Sequence, residues 1–282
     1  MNMLMLPLLF LMPAPCDSLP PQGLEHRLEI NLNESEAIRL RRPEQSAQGL
    51  AIHDSTMFAL YHLGHCVTVD LASGGVVGEF TLEGACGTHC NNASFGTEYA
   101  AAGSAFPLLY VSECGGEKRC FVLDMELHGS RHVQTIRFAG SGIAEFCDWC
   151  VDRENGHLYA IGKTFDSGVV LKRFPLPRLS AGSEVVLDDC DVLWQSSYPR
   201  GFFRITQGSF ISGGKMYMPT GDPRRSGLFL HVLSLSDGAR TALWDIGAVG
   251  LEPEGLCSFG GRLWIMFADG NGRVCSFGVG GL

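Results

Sequence analysis

The feature that most constrains the fold is a unit that recurs five times along the chain. Each copy has a short apolar strand, a turn rich in glycine, aspartate or asparagine, and a second strand that carries an apolar–aromatic pair. Successive aromatic residues of these pairs lie 47 to 58 residues apart, close to the roughly 40 to 50 residues that a four-stranded propeller blade occupies. Five copies therefore predict five blades. The pairs are Met57-Phe58, Leu109-Tyr110, Leu158-Tyr159, Met216-Tyr217 and Leu263-Trp264.

A third strand is predicted in every copy and a fourth strand in all but the last. The expected fourth strands are Val76–Leu82, His132–Phe138, Ser183–Leu187 and Thr241–Ile246. We expect an alternating stretch near the N terminus, either Leu28–Leu32 or Glu36–Leu40, to complete the fifth blade. Such closure removes exposed strand edges. The predicted fold is an all-β, five-bladed β-propeller whose ring is closed by an N-terminal strand.

Composition and turn chemistry agree with one domain spanning residues 17–282. The chain of 282 residues is 45% hydrophobic and contains 36 glycines, which is typical of a single globular domain. Glycine-containing turns such as Asn155-Gly156 and Asp237-Gly238 lie between apolar runs, where positive φ angles are needed. The net charge of −9 gives no basic face, so we expect no nucleic-acid partner.

Residues 1–16 are predicted to form an export signal, because a short apolar stretch precedes Cys16 and is too short to span a bilayer. Cys16 is a candidate lipidation site of bacterial lipoprotein type, although Pro15 departs from that pattern. The prediction is an exported protein, periplasmic or at the cell surface, whose contact with a membrane is limited to a lipid anchor at Cys16. The alternative is a disordered apolar terminus.

The chain has 11 cysteines, and export would allow some of them to form disulfides. Cys114 and Cys120 are the expected pair, because the glycine-containing turn between them would place two strands side by side. The pairs Cys86/Cys90 and Cys147/Cys150 resemble zinc half-sites, but no histidine spacing completes a site. Buried free thiols are the preferred interpretation for most cysteines.

A polar residue precedes the first strand of each copy. Gln48, Gln207 and Glu254 each lie ten residues before the aromatic, Asp148 occupies the related position, and Asn91 or the neighbouring His89 does so in the longer second copy. First strands line the channel of a propeller, so we expect these oxygens to converge at one end of it. Either they satisfy backbone groups and channel water, with the adjacent glycines allowing close approach, or they bind a polar ligand. A divalent cation, calcium favoured, could be held by Gln48, Asn91, Asp148, Gln207 and Glu254.

Other candidates are expected near the same mouth. His53, Glu113 and Asp222 follow strands of three copies, and Glu252 lies beside Glu254. The long connection 188–205 carries Trp194 and Tyr198 as candidate ligand contacts. A pair of carboxyl groups could act as acid and base in glycoside cleavage, and the catalytic candidates are Glu254, Glu113 and Asp148.

Short strings of the sequence resemble five-bladed propellers of bacterial surface proteins. The strings are Ala47-Gln48-Gly49-Leu50, Thr88-His89-Cys90-Asn91-Asn92, Thr206-Gln207-Gly208 and Leu251-Glu252-Pro253-Glu254-Gly255-Leu256. They are similar to the propellers of teichoic-acid-associated proteins, phage receptor-binding proteins and secreted proteins of gut Bacteroidetes. The resemblance implies a surface location and a polar site at the channel. A more distant resemblance, through the Gln-Gly and Glu-Gly dipeptides at Gln48, Gln207 and Glu254, is to five-bladed glutaminyl cyclases.

Three functional hypotheses follow. The first is a binding module that recognises a glycan or other cell-envelope polymer through the polar ring and the aromatic connection, since sugars stack on aromatic rings. The second is a channel-centred enzyme, either a glycan hydrolase or lyase or a glutaminyl-cyclase-like enzyme. The third is a scaffold for protein partners. Propellers serve all three, so the fold alone does not decide.

Overall fold

The computed structural model describes residues 19–35, 46–85, 87, 89–280 and 282, apart from the side chains of Phe146 and Cys147. Five sheets of four or five strands form the five blades, so the predicted propeller is confirmed. The predicted export signal and the alternative closing strand Glu36–Leu40 lie outside the described residues. No helix in the described ranges is long and apolar enough to cross a bilayer.

The strands follow the chain blade by blade. Two N-terminal strands come first: β1 (Gln22–Gly23) and β2 (His26–Asn31). Blade 1 contains β3 (Ala47–His53), β4 (Thr56–Tyr61), β5 (His65–Asp70) and β6 (Gly75–Thr81). Blade 2 contains β7 (Cys90–Phe95), β8 (Leu109–Glu113), β9 (Arg119–Glu126) and β10 (Gly129–Phe138).

The remaining strands form blades 3 to 5. Blade 3 begins with β11 (Glu145–Asp152), β12 (His157–Lys163) and β13 (Val169–Pro175), which are followed by β14 (Glu184–Leu187) and β15 (Trp194–Tyr198). Blade 4 contains β16 (Phe210–Ser212), β17 (Lys215–Thr220), β18 (Phe229–Ser234) and β19 (Arg240–Asp245). Blade 5 contains β20 (Glu252–Phe259), β21 (Arg262–Ala268) and β22 (Arg273–Phe277). Short 3-10 turns lie at Leu32–Glu34, His62–Gly64, Leu179–Ala181, Asp189–Asp191 and Gly247–Val249.

Blade 5 is completed by the N-terminal strand β2, as the sequence predicted. Strand β2 pairs antiparallel with β22, from His26 opposite Phe277 to Asn31 opposite Arg273. Beyond the strand, the backbone N–H of Asn271 donates to Oδ1 of Asn33 at 2.7 Å. The first of the two predicted stretches therefore closes the ring. Strand β1 adds a short parallel edge to blade 4.

The outer strand of blade 3 differs from the prediction. Ser183–Leu187 was expected to be its fourth strand, but β14 instead pairs parallel with β10 at the outer edge of blade 2. The fourth place in blade 3 is taken by β15, which pairs antiparallel with β13. The side chain of Gln134 accounts for the exchange in part, because its amide donates to the carbonyls of Arg178 and Gly182 and holds the preceding loop against blade 2. The predicted aromatic connection 188–205 therefore contains a strand, β15, between a 3-10 turn and an irregular segment.

The expected disulfide between Cys114 and Cys120 is absent. Cys120 lies opposite Ser112 in the ladder, so Cys114 is two residues out of register with it. The thiol of Cys120 is fully buried between blades 2 and 3, whereas Cys114 lines a cavity at the channel mouth. Cys90 and Cys150 are buried, and their thiols donate to the carbonyls of Ala85 and Ser209.

Candidate active site at the channel mouth

The five inner strands begin around one cavity of about 780 Å³ at the end of the channel. This volume lies in the range of roughly 300 to 1,000 Å³ that is usual for small-molecule sites. Seven residues that the sequence singled out line the cavity: Gln48, His89, Asn91, Asp148, Gln207, Glu252 and Glu254. They come from all five blades, so only closure of the ring brings them together.

Irregularities in the inner strands aim these side chains into the cavity. The pairing register of β3 shifts at Gln48-Gly49, that of β7 at Asn91-Asn92 and that of β20 at Glu254-Gly255. A bulge leaves residues unpaired and turns their side chains out of the regular alternation. The same local device therefore places three of the polar residues at the channel mouth.

The glycines after the polar residues allow the inner strands to meet. A Cβ atom on Gly255 would lie 2.2 Å from the backbone nitrogen of Leu50. One on Gly49 would lie 2.5 Å from the carbonyl oxygen of Asn91. Because both neighbours are backbone atoms, no side-chain movement could relieve such contacts. In the Gln-Gly and Glu-Gly dipeptides, the first residue thus lines the cavity, and the glycine allows the inner strands of neighbouring blades to approach closely.

Asp148 is a buried carboxyl group at the mouth, with 4% of its surface exposed. The side-chain amide of Asn91 donates to both carboxylate oxygens, at 3.1 and 3.0 Å. Burial nevertheless raises the pKa of Asp148 from 3.8 to about 7. Desolvation disfavours the charged form more strongly than these hydrogen bonds favour it, so the carboxyl group changes its charge near neutral pH.

Asn91 leaves one strong acceptor without a partner. Its Oδ1 atom is buried and receives no hydrogen bond from the described residues, and the residue is only 3% exposed. An unsatisfied buried carbonyl costs roughly 1 to 3 kcal/mol. Since Asn91 lines the cavity, a donor on a bound ligand or a water molecule would relieve that cost.

Glu254 is a second buried carboxyl group in the same cavity, 4% exposed. Burial raises the pKa of Glu254 well above its usual value, and the negative charges of Glu252 and Asp148 add to the shift. No described residue contributes a hydrogen bond that opposes it. Burial therefore favours the protonated form of Glu254, in which the carboxyl group can donate a hydrogen bond or a proton.

Two further hydrogen-bonded pairs complete the polar wall. Nε2 of Gln207 donates to Oε1 of Glu252 at 2.8 Å, and burial together with the charge of Asp222 raises the pKa of Glu252. Nε2 of His89 lies 3.0 Å from Oε1 of Gln48. Because an amide oxygen only accepts, His89 is the donor in this pair. These amides are thus oriented before any ligand arrives.

The rim of the cavity carries cations that the sequence analysis did not single out. Lys163, Arg204 and Arg224 line the cavity and are more exposed than the buried Asp148 and Glu254, so they form its rim. Lys163 forms an ion pair with Glu145, and Arg224 lies 3.5 Å from Asp222. The length of the connection after β15 is the sequence signal that could have indicated Arg204.

Four predicted site residues lie away from the cavity. His53 is at the far end of β3 from Gln48 and packs against Phe95 and Phe106, because the strand runs the length of the channel. Glu113 accepts two hydrogen bonds from Arg119, at 2.8 and 2.7 Å, which hold its carboxylate in an ion pair. Glu113 is therefore not among the residues that line the cavity, and its catalytic role stays a prediction.

The two aromatic candidates, Trp194 and Tyr198, also lie outside the lining of the cavity. Trp194 belongs to β15, where its ring packs edge-on against Tyr159 and beside Arg173. Tyr198 is 2% exposed and donates its hydroxyl to the carbonyl of Gly238 at 2.8 Å. Neither ring lines the cavity, so the expected aromatic platform for a sugar is absent from it.

The expectation of a bound cation at the polar ring stays a prediction. Among the described residues, no group of three or more His, Cys, Asp or Glu side chains is arranged to hold a metal ion. The side-chain oxygens that a cation in the cavity could use belong to Asp148, Glu254 and Asn91, and Glu252 also lines the cavity. Two of the amide groups expected as ligands already donate to carboxylates.

Comparison with known proteins identifies the fold. No protein-family model matches the sequence, and no curated protein matches it. The crystal structure of Myxococcus xanthus glutaminyl cyclase is similar with a TM-score of 0.57 and 13% identity, over 92% of this chain and 97% of that chain. A GH43 β-1,3-galactosidase with galactodeoxynojirimycin gives a TM-score of 0.50 at 12% identity, over 81% of this chain and 89% of that one. At these identities the likeness is one of fold.

Proposed function

We propose that this protein is a channel-centred enzyme that carries out acid–base chemistry on a small polar substrate. The observation that carries the proposal is the pair of buried carboxyl groups, Asp148 and Glu254, in one cavity that a ligand can enter. Burial raises the pKa of both groups, but only Asp148 is held by hydrogen-bond donors. Two carboxyl groups whose surroundings separate their pKa values are typical of an acid and a base working together.

The two groups have distinct roles in the proposal. Asp148, whose pKa is about 7, loses its proton near neutral pH and accepts one from the substrate as the base. Glu254, whose pKa burial raises, is the proton donor to the group that gains negative charge or leaves. The amide of Asn91 orients the Asp148 carboxylate, and its free Oδ1 atom accepts from an N–H or O–H group of the substrate.

The substrate class that we propose is an N-terminal glutaminyl compound. Its α-ammonium group would lose one proton to Asp148, and the resulting amine would attack its own side-chain amide carbon. The new C–N bond closes a five-membered lactam, the old C–N bond breaks as ammonia leaves with a proton from Glu254, and the ring nitrogen then gives its second proton to the Glu254 carboxylate. Support comes from the acidic floor, which suits an amine, and from the oriented amides, which suit an amide group. The shared fold with a glutaminyl cyclase is consistent with this choice.

The glycan hypothesis keeps less support at this site. The aromatic rings invoked for sugar stacking belong to blade 3 and lie outside the cavity. The polar wall could still bind hydroxyl groups, and a galactosidase shares the fold. A glycan hydrolase or a glycan-binding module is therefore the competing outcome of the experiment below. The predicted export and surface location remain separate proposals, which cell fractionation tests.

The experiment incubates the purified protein with N-terminal glutaminyl peptides and measures ammonia and lactam product. We expect turnover whose rate rises with pH through about 7, as Asp148 loses its proton. Glu254→Gln should lower kcat by roughly 100-fold or more. Glu126→Gln, at an exposed position at the end of β9, is the matched control and should leave the rate unchanged.

Three results would contradict the proposal. One is the absence of product from glutaminyl peptides, another is full activity of Glu254→Gln. The third is a glycan panel in which the protein shortens a glycan or binds it intact, which would assign the cavity to a hydrolase or to a binding module. Elemental analysis of the same preparation tests the predicted cation, and Glu254→Gln should release it if it is bound there.

A further inference from the structure

Arg204 is the most available cation at the mouth of the cavity. It lies in the connection from β15 to β16, and its side chain lines the opening. No carboxylate of the described residues forms an ion pair with it, in contrast to Arg224, which lies 3.5 Å from Asp222. The chain carries 30 acidic and 21 basic residues, so an arginine without an acidic neighbour at the entrance to a cavity calls for a ligand of opposite charge.

The backbone around Arg204 is fixed from both sides. Phe203 is buried and packs against Tyr198, Phe202 and His231. On the other side, the carbonyl of Ile205 accepts from the backbone N–H of Gly221 at 2.8 Å, and Thr206 forms a bridge with Thr220. The backbone that carries the long Arg204 side chain is therefore anchored beside the cavity that this residue lines.

Charge changes sign from the floor of the cavity to its rim. The floor holds Asp148, Glu252 and Glu254, and the unpaired acceptor of Asn91. The rim holds Lys163, Arg204 and Arg224. A molecule with a cationic amine at one end and a carboxylate at the other would meet an opposite charge at both ends. A molecule with only the amine would use the floor alone.

We infer that the cavity binds small zwitterionic substrates, and that Arg204 recognises their carboxylate. The inference rests on the proposed function and narrows its substrate class. The substrate is free glutamine or a glutaminyl dipeptide rather than the N terminus of a long chain. Arginine is suited to this role because its planar guanidinium donates two parallel hydrogen bonds to one carboxylate. In this role Arg204 determines specificity, since the proposed acid and base are other residues.

The test compares two substrates that differ only at the carboxylate. These are glutaminyl-alanine with a free C terminus and the same dipeptide with a C-terminal amide. We expect kcat/KM of the natural protein to be roughly tenfold higher for the free acid, as one charge-assisted contact provides. Arg204→Gln should remove this preference by lowering kcat/KM for the acid, and should leave the amide unchanged. Arg204→Lys keeps the charge and should retain part of the preference.

The control is Arg137→Gln, an exposed arginine on β10 far from the mouth in sequence and blade. It should keep the full preference for the acid. Equal rates for the two dipeptides with the natural protein would overturn the inference while leaving the proposed reaction intact. An equal loss on both substrates in Arg204→Gln would also overturn it, because the residue would then act on something other than the carboxylate.

Calorimetric binding of the same two dipeptides separates the two proposals. If neither dipeptide turns over, but the acid binds about tenfold more tightly than the amide and Arg204→Gln abolishes the difference, the zwitterion site stands and the cyclisation fails. If neither dipeptide binds or turns over, both proposals fail. Every result therefore bears on one proposal or the other.

Discussion

At the residue scale, the burial of Asp148 has a consequence for stability. The folded protein raises the pKa of this carboxyl group from 3.8 to about 7, so between these values the folded state binds the proton more tightly than the unfolded chain. The stabilising contribution of the group is therefore fully present below about pH 4 and is lost as the pH rises through about 7. A strained carboxylate of this kind is typical of functional sites rather than of structural ion pairs.

Asp148→Asn should remove this dependence. An uncharged amide of the same shape keeps an acceptor for Asn91, and a rotation of Asn91 would let its unpaired Oδ1 accept from the new amide. We expect the variant to gain stability relative to the natural protein by roughly 2 to 4 kcal/mol as the pH is raised from about 4 to about 8. Urea unfolding across this range measures the difference. Parallel stability curves for the two proteins would show that Asp148 titrates normally.

At the element scale, the inner strands combine a polar residue, a glycine and a bulge. The sequence predicted the polar residues and the glycines, because both recur at a fixed distance from an aromatic of the next strand. It did not predict the bulges at Gln48, Asn91 and Glu254, since register depends on the partner strand. For the same reason, the parallel pairing of β14 with blade 2 was missed: short apolar strands have no local signal for which sheet they join.

Gly255→Ala adds only one methyl group but should destabilise the propeller strongly. The added methyl would overlap the backbone of Gly49 and Leu50 on the neighbouring inner strand, and backbone atoms cannot rotate away. We expect a loss of roughly 1 to 3 kcal/mol in the free energy of unfolding. Gly129→Ala is the matched control, because nothing lies within 4 Å of the new methyl. A thermal melt of both variants that shows equal stability would contradict the close approach of the inner strands.

At the scale of the whole molecule, the site exists because the ring is closed. Each of the seven lining residues predicted from the sequence comes from an inner strand or the residues just before one. Closure depends on β2, whose ladder with β22 is reinforced by the hydroxyl of Ser276, which donates to Glu29 at 2.6 Å. The N-terminal segment therefore holds the two ends of the described chain together.

Removal of residues 1–34 should open the ring at blade 5. The exposed edge of β22 would then offer unpaired backbone groups to other molecules. We expect Tm to fall by roughly 10 °C and the protein to associate at high concentration, as measured by a thermal melt and light scattering. Removal of residues 1–18 alone is the control and should keep Tm. An unchanged Tm for the longer deletion would show that β2 contributes little to closure.

The sequence by itself determined the number of blades, closure of the ring by one of two N-terminal stretches, and most of the polar groups at the channel mouth. It did so because these features repeat, and a repeat makes each copy a check on the others. Only the tertiary structure decided that Asp148 and Glu254 share one cavity, that Glu113, Trp194 and Tyr198 do not, and that Arg204 stands at the entrance. Those relations join residues from different blades, and the distances between them arise only when the sheets pack around a common axis.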